Sequence, residues 1–173
     1  MLKVLDVLKI ILLSIILSSC SSIEQIALKD AETKRILRNI VKNNPNKVYY
    51  KTITLDGDKP IVSYVNQEYL EFYLCKNGID SVVKIPKNEI KFIKEKFKTH
   101  KVLKLDKFLP KLKDKLSNKE EKLKTQYISI PVLFRNNTMA LYYNLQTYGG
   151  EFTLMQKNNG KWDVICSRSV WVE

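Results

Sequence analysis

Three cysteines and a single histidine are the residues of this chain best suited to covalent or metal chemistry. Cys20 follows an apolar run and two serines, Cys75 and Cys166 each lie within an apolar segment, and His100 is followed by a lysine. No two of them have the spacing of a metal-binding pair, and the sequence contains neither a glycine-rich phosphate loop nor a nucleophile elbow. We therefore expect no catalytic residue, no metal site and no cofactor, although a pair of carboxylates distant in sequence remains compatible with the pattern.

The acidic residues Asp56 and Asp58 enclose Gly57, which is how some calcium-binding loops begin. The following positions lack further oxygen ligands, and Lys59 would repel a cation. We interpret this segment as a hairpin turn.

The first twenty residues have the plan of an export signal. Lys3 and Lys9 precede a short apolar run, Ile10 to Leu17, and small residues follow that run. The run is too short to span a bilayer, which requires about 20 apolar residues. The ending, Leu17-Ser18-Ser19-Cys20, resembles the lipobox of bacterial lipoproteins, which implies cleavage before Cys20 and attachment of fatty acids such as palmitate to its thiol. An ordinary secretion signal or an uncleaved anchor fits less well, because a polar segment follows the cysteine at once.

The predicted lipobox divides the chain into a cleaved signal peptide (1–19) and a single α+β domain (20–173), of which residues 20–24 form a tether. The predicted location is the cell envelope, with the domain outside the cytoplasm and Cys20 held by the lipid bilayer. Ser21 favours the outer membrane over the inner one, because some bacteria use aspartate at that position as a retention signal. The mature chain of 154 residues is long enough for one hydrophobic core.

The remaining cysteines, Cys75 and Cys166, leave two alternatives open. An oxidising compartment permits a disulfide between them, whereas their apolar surroundings suit buried free thiols equally well.

The positive charge of the chain is unevenly distributed. The formal net charge is +12, and the segment from Lys84 to Lys124 contains fifteen lysines, six acidic residues and no arginine. Such a segment can contact an anionic surface. The strong preference for lysine over arginine instead indicates the surface composition of an AT-rich genome, and the lack of interleaved aromatic residues disfavours nucleic acid.

Helices are predicted mainly in the first two thirds of the chain. Amphipathic spacing and breaker residues place them at 21–43, at 66–76, from Pro86 to about 98, and at 101–116 with an interruption at Pro110. Strands are predicted at 48–55 and 61–65, with an extended segment at 79–85 and a polar loop at 117–124.

The last fifty residues predict a β-meander. Strands are expected at 127–134, 138–147, 151–157 and 161–167, joined by turns at 135–137, 149–150 and 158–160. The fold class is therefore α+β, with N-terminal helices packed on one face of an antiparallel β-meander sheet.

The C-terminal half carries a combination of segments that includes NEIKFIKEKF, ISIPVLF, MALYYNLQ and the ending LMQKNNGKWDVICSRSVWVE. In this combination the region 86–173 resembles a group of uncharacterised secreted proteins and lipoproteins of flavobacteria. That resemblance implies a fold and a compartment and brings no established activity. The Gly-Lys-Trp hairpin is also similar to the ending of nuclear-transport-factor-like domains, which enclose a pocket.

Two functions follow from these patterns. The first is a non-enzymatic envelope lipoprotein whose domain binds a protein, glycan or lipid, and we favour it because no catalytic constellation is recognisable. The alternative is a small-ligand-binding or enzymatic pocket domain of the nuclear-transport-factor-like type. It predicts a pocket lined by five tyrosines: Tyr64, Tyr69, Tyr142, Tyr143 and Tyr148.

Overall fold

The computed structural model describes residues 31–55, 61–73, 75, 82–119 and 124–172. Residues 33–173 form a compact unit, distinct from residues 1–32. The predicted signal sequence and Cys20 lie outside the described residues, as do Asp56, Asp58 and the rest of their predicted turn.

The described chain alternates short helices with strands before ending in three long strands. The helices are α1 (31–43), α2 (Lys87–Thr99) and α3 (Leu105–Phe108), with 3-10 helices at Ile61–Tyr64 and Pro110–Lys115. The strands are β1 (Lys47–Tyr49), β2 (Glu71–Phe72), β3 (Val83–Lys84), β4 (Leu116–Ser117), β5 (Thr125–Ile128), β6 (Val132–Phe134), β7 (Met139–Gln146), β8 (Gly149–Asn158) and β9 (Lys161–Val172).

The main sheet is mixed and mostly antiparallel. Its strand order is β4-β1-β5-β7-β8-β9, with β6 also paired to β7, while β2 and β3 form a separate ribbon. The predicted α+β class and the antiparallel meander of β7, β8 and β9 are confirmed. In addition, β1 pairs parallel with both β4 and β5, through Val48 opposite Leu116 and Gln126. Parallel neighbours require long crossover connections, and the helices between residues 50 and 115 provide them.

Side-chain alternation along β7 assigns the two faces of the sheet to different cores. Leu141 and Tyr143 belong to a core shared with Ile93 and Phe97 of α2, and we call this side the α2 face. The opposite side, the α1 face, packs against helices α1 and α3, and its core includes the following residues: Ile36, Leu37, Ile40, Val41, Leu105, Leu109, Ala140, Tyr142, Met155 and Trp162. The expectation that helices cover one face is therefore wrong, because the alternating apolar positions of β7 require cover on both sides.

Strand β9 carries two irregularities that change which face its side chains meet. Its register against β8 shifts between Leu154 and Met155 and again between Gly150 and Glu151. Each shift places an extra residue in β9, as a β-bulge does, and so reverses the alternation. After the first bulge Cys166 pairs with Leu154 and lies on the α2 face.

The first bulge thereby brings Cys166 to Cys75, and a disulfide joins them. Their Cα atoms are 4.7 Å apart and their positions differ by 91 residues. Both cysteines are buried. Closing a loop of this length restricts the unfolded chain and contributes about 4 kcal/mol in the chain-entropy account. The bridge fastens the ribbon region to the last strand of the main sheet.

The region 61–76 differs from the prediction. The expected strand at 61–65 is a 3-10 helix, and the expected helix at 66–76 is wrong, because a turn and then β2 occupy its described part. The side chain of Asn66 accepts hydrogen bonds from the backbone N–H groups of Glu68 and Tyr69, at 3.0 and 3.2 Å. An asparagine that bonds its own following backbone stabilises a turn in competition with a helix.

Several local predictions agree with the structure. Helix α2 begins directly after Pro86, and residues 135–137 form a turn in which all three have positive φ. The strand expected at 127–134 is divided in two, since Pro131 lacks the N–H group that a continuous ladder needs.

Removing the disulfide should lower the free energy of unfolding by roughly 2–5 kcal/mol, because the unfolded chain regains its freedom. Urea denaturation of the Cys75→Ala/Cys166→Ala double variant, compared with the wild type, measures the difference. Reductant should lower the wild-type midpoint and leave that of the double variant unchanged. Equal midpoints for the wild type with and without reductant would contradict the bridge.

Candidate ligand-binding site

The α1 face changes from apolar to polar toward one end of the meander. Across β7, β8 and β9, Asn144 lies opposite Glu151, which lies opposite Ser169. The adjacent row on the same face consists of Tyr142, Thr153 and Ser167. We call these six side chains the polar floor. The second bulge of β9 ends this stretch, so the floor lies in the segment between the two bulges.

Hydrogen bonds within the floor fix its side chains. The Nδ2 group of Asn144 donates to Oε1 of Glu151 at 3.0 Å, and the hydroxyl oxygens of Thr153 and Ser167 are 3.2 Å apart. Asn144 and Thr153 are buried. Buried polar groups are almost always bonded in this way, because an unmet donor or acceptor is costly.

One acceptor of the floor is the exception. The Oδ1 atom of Asn144 is buried, and it has no hydrogen-bond partner among the described residues. The orientation of this amide is determined by Glu151, since an ionised carboxylate can only accept and must face the NH₂ group. An unmet acceptor typically costs about 1–3 kcal/mol, so the position is suited to a donor from outside the protein.

Asn144 lines two adjoining depressions that are open to solvent. The larger has a volume of about 470 Å³ and the smaller about 190 Å³, and both are lined by Asn144, Gln146 and Glu151. We call them together the hollow. Its walls are formed by the following residues: Asn39, Ile40, Asn43, Asn44, Pro45, Gln126, Trp162, Asp163 and Val164 around the larger part, and Tyr148, Gly149 and Gly150 around the smaller.

The end of α1 forms one wall of the hollow, and side-chain bonds hold it there. Asn39 donates through Nδ2 to the backbone carbonyl of Trp162 in β9, and Asn43 donates to Oδ1 of Asn39. Upstream, Ile36, Leu37, Ile40 and Val41 of the same helix cover the apolar part of this face. The helix therefore ends where the sheet surface becomes polar, and its last residues form a wall of the hollow beside the largely buried floor.

The hollow differs in charge from the rest of this basic protein. Its charged lining residues are Glu151 and Asp163, and neither a lysine nor an arginine lines it among the described residues. Burial raises the pKa of the Tyr142 hydroxyl to about 12, an effect that outweighs the lowering by its hydrogen bond with Thr153. Tyr142 thus presents a neutral hydroxyl group at physiological pH.

The structure does not unite the five tyrosines that were expected to line one pocket. Tyr64 and Tyr69 contact each other on the α2 face, with ring centroids 5.1 Å apart, and Tyr143 is fully buried on that face. Tyr142 belongs to the opposite face, while Tyr148 is exposed at the rim of the hollow. A common pocket is impossible for Tyr142 and Tyr143, because neighbouring residues of a strand point to opposite sides.

Apart from Tyr142, the residues of the polar floor escaped sequence analysis. Asn144, Glu151 and Ser167 each lie in a different predicted strand. Polar residues that alternate with apolar ones along a strand ordinarily mark its solvent-facing side. The available signal was the contrast along β7, where Ala140 and Tyr142 precede Asn144 and Gln146 on the same side. Burial of that polar set depends on the end of α1 and on the bulges of β9, which no local pattern reveals.

Other candidate groups stay apart from the hollow. His100 follows α2, and its ring lies edge-on to Phe97 at 6.0 Å between centroids. Within the described ranges, no group of three or more His, Cys, Asp or Glu residues has the arrangement of a metal site. No helix in the same part of the chain is long and apolar enough to cross a membrane. Comparison with protein-family models, with curated protein sequences and with solved structures finds no match.

Replacing Tyr142 with phenylalanine should change the alkaline stability of the protein. The folded-state pKa of about 12 exceeds the ordinary value of 10.0, so folding favours the neutral hydroxyl. This contribution is complete below pH 10 and is lost as the pH rises from 10 to 12, amounting to roughly 2–3 kcal/mol. Urea midpoints should therefore fall more steeply over that range for the wild type than for Tyr142→Phe. If the urea midpoints of the two proteins fell in parallel as the pH rises, the raised pKa of the buried Tyr142 hydroxyl would be contradicted.

Proposed function

We propose that this chain is a lipid-anchored protein of the bacterial cell envelope whose domain acts by binding, without catalysis. The sequence Leu17-Ser18-Ser19-Cys20 supports the anchor, which would hold the protein through acyl chains on Cys20. The bridge between Cys75 and Cys166 supports export, because structural disulfides persist mainly outside the reducing cytoplasm. The resemblance of residues 86–173 to secreted flavobacterial proteins agrees with the same compartment.

The observation that carries the binding role is the buried, unmet Oδ1 atom of Asn144, a residue that lines an open hollow. The neighbouring groups already have defined partners: Glu151 holds the amide of Asn144, and Ser167 bonds Thr153. Among the described residues, neither Ser167 nor Ser169 forms a hydrogen bond with a basic side chain, which nucleophilic catalysis would require. The arrangement is suited to recognising the hydrogen-bonding groups of a ligand.

Contact with an anionic surface is a second interaction open to this protein. The lysines of α2 and those of residues 104–115 lie on helices that pack on opposite faces of the sheet, so they do not form one surface. The α2 set is the better candidate for this role, because Phe92 is exposed among its lysines and an aromatic ring suits a membrane interface. Such a contact would assist the lipid anchor.

The alternative, a ligand-binding or enzymatic domain of the nuclear-transport-factor-like type, draws its support from the hollow. Its enzymatic form differs from our proposal in requiring turnover of the bound molecule. The hollow also lies on the α1 face, whereas three of the five tyrosines expected for that alternative lie on the α2 face.

Replacing Cys20 with serine should release the protein from the membrane, because serine provides no thiol for acylation. Cell fractionation of the producing bacterium should then find the variant in the soluble fraction and the wild type in the membrane fraction. Mass spectrometry of the wild-type N-terminal peptide should show a mature chain that begins at Cys20 and carries fatty acids.

The double variant Cys75→Ala/Cys166→Ala is the matched control for that experiment, since it removes the other two thiols. It should remain in the membrane fraction with an acylated Cys20. An unmodified Cys20 in the wild type would refute the anchor.

A further inference from the structure

We propose that the hollow binds a neutral, hydroxyl-rich ligand, a segment of an envelope glycan. This inference rests on the proposed binding function and specifies its ligand.

The unmet Oδ1 atom of Asn144 requires a hydrogen-bond donor. Asn144 is only 4% exposed, and its amide is fixed by Glu151, so rotation of the side chain cannot remove the requirement. A ligand hydroxyl group that entered the hollow would satisfy the atom. The same hydroxyl keeps an acceptor lone pair for a second contact, which a compact ammonium group lacks.

The other lining groups also call for a ligand that both donates and accepts. Gln126 and Gln146 supply amide groups, Ser169 supplies a hydroxyl, and Glu151 supplies carboxylate oxygens. Amides and carboxylates are planar groups with two polar atoms, so each can bond two neighbouring hydroxyls at once. Neighbouring hydroxyls are the recurring feature of a sugar ring.

Charge selects against anionic ligands. The charged side chains of the lining are the acidic residues Glu151 and Asp163, and the end of α1 presents the negative pole of a helix dipole. A phosphate or carboxylate in the hollow would be repelled, and no lysine or arginine of the described lining would pair with it. The described lysines of the segment from Lys84 to Lys124 do not line the hollow, so their positive charge does not extend to this site.

The rim offers an aromatic surface for the apolar side of a sugar ring. Tyr148 is 59% exposed at the edge of the smaller depression, and Gly149 and Gly150 follow it without side chains. Exposed aromatic rings combine apolar area with a polar tip and lose little conformational freedom on binding. The larger depression, about 470 Å³, is within the range of about 300–1,000 Å³ typical of small-molecule sites.

The test uses the full chain purified in detergent. An array of neutral, anionic and amino-sugar oligosaccharides, which includes chitohexaose, cellohexaose and maltohexaose, is screened first. Calorimetry then measures the affinity of the best neutral oligosaccharide, with spermidine as the cationic comparison. We expect binding of at least one neutral oligosaccharide and weaker or undetectable binding of anionic ones and of spermidine.

Two exposed positions test the site without disturbing the fold. Gln146→Ala and Tyr148→Ala should each weaken binding roughly tenfold, the effect of losing one good contact. Tyr73→Ala is the matched control, since Tyr73 is likewise an exposed tyrosine but does not line the hollow, and it should bind as the wild type does. Asn144→Ala should abolish binding, and its thermal unfolding curve shows whether it is folded.

The proposal is overturned if no neutral oligosaccharide binds, if spermidine or an anionic glycan binds best, or if Gln146→Ala and Tyr148→Ala bind as the wild type does. None of these results bears on acylation of Cys20, which tests the proposed function separately. An acylated protein that binds no oligosaccharide would leave the envelope location standing and remove the glycan.

Discussion

The phase of side-chain alternation along β9 is the constraint on which the rest of this structure depends. A strand without interruption would place Cys166 on the same side as Trp162 and Val164, facing α1 and away from Cys75. The first bulge reverses the alternation and permits the disulfide, and it simultaneously turns Ser167 toward α1. One irregularity therefore creates both the covalent link on one face and part of the polar floor on the other.

The two faces have opposite energetic roles. On the α2 face, Phe97, Tyr143 and Phe152 are almost fully buried, and burial of such side chains contributes about 1.5–3 kcal/mol each. On the α1 face, the floor retains polar side chains in a position where apolar ones would stabilise the fold, and the unmet oxygen of Asn144 opposes folding. A group that costs stability and lies in an open hollow is typical of a functional site.

The sequence predicted what local patterns determine. Helix α2 follows from Pro86 and the spacing of Ile90, Ile93 and Phe97, and the meander follows from alternating strands separated by turn residues. Long-range features were missed, namely the parallel pairing of β1, the bulges of β9 and the burial of Asn144, because each depends on a segment distant in the chain. Asn66 shows a local failure, since a side-chain bond to the backbone overrode the helical spacing that follows it.

The central claim, that the polar floor contacts a glycan, is tested most directly by the side-chain amide signals in a nitrogen–proton NMR spectrum of the full chain. Polysaccharide extracted from the bacterial envelope is added stepwise while the spectrum is recorded. We predict that the signals of Gln126, Asn144 and Gln146 shift together and in proportion. The signals of Gln67, in the turn before β2, and of Asn88, in α2, should stay in place, because neither residue lines the hollow. Unchanged signals from Asn144, or shifts confined to the backbone amides of α2, would contradict the account.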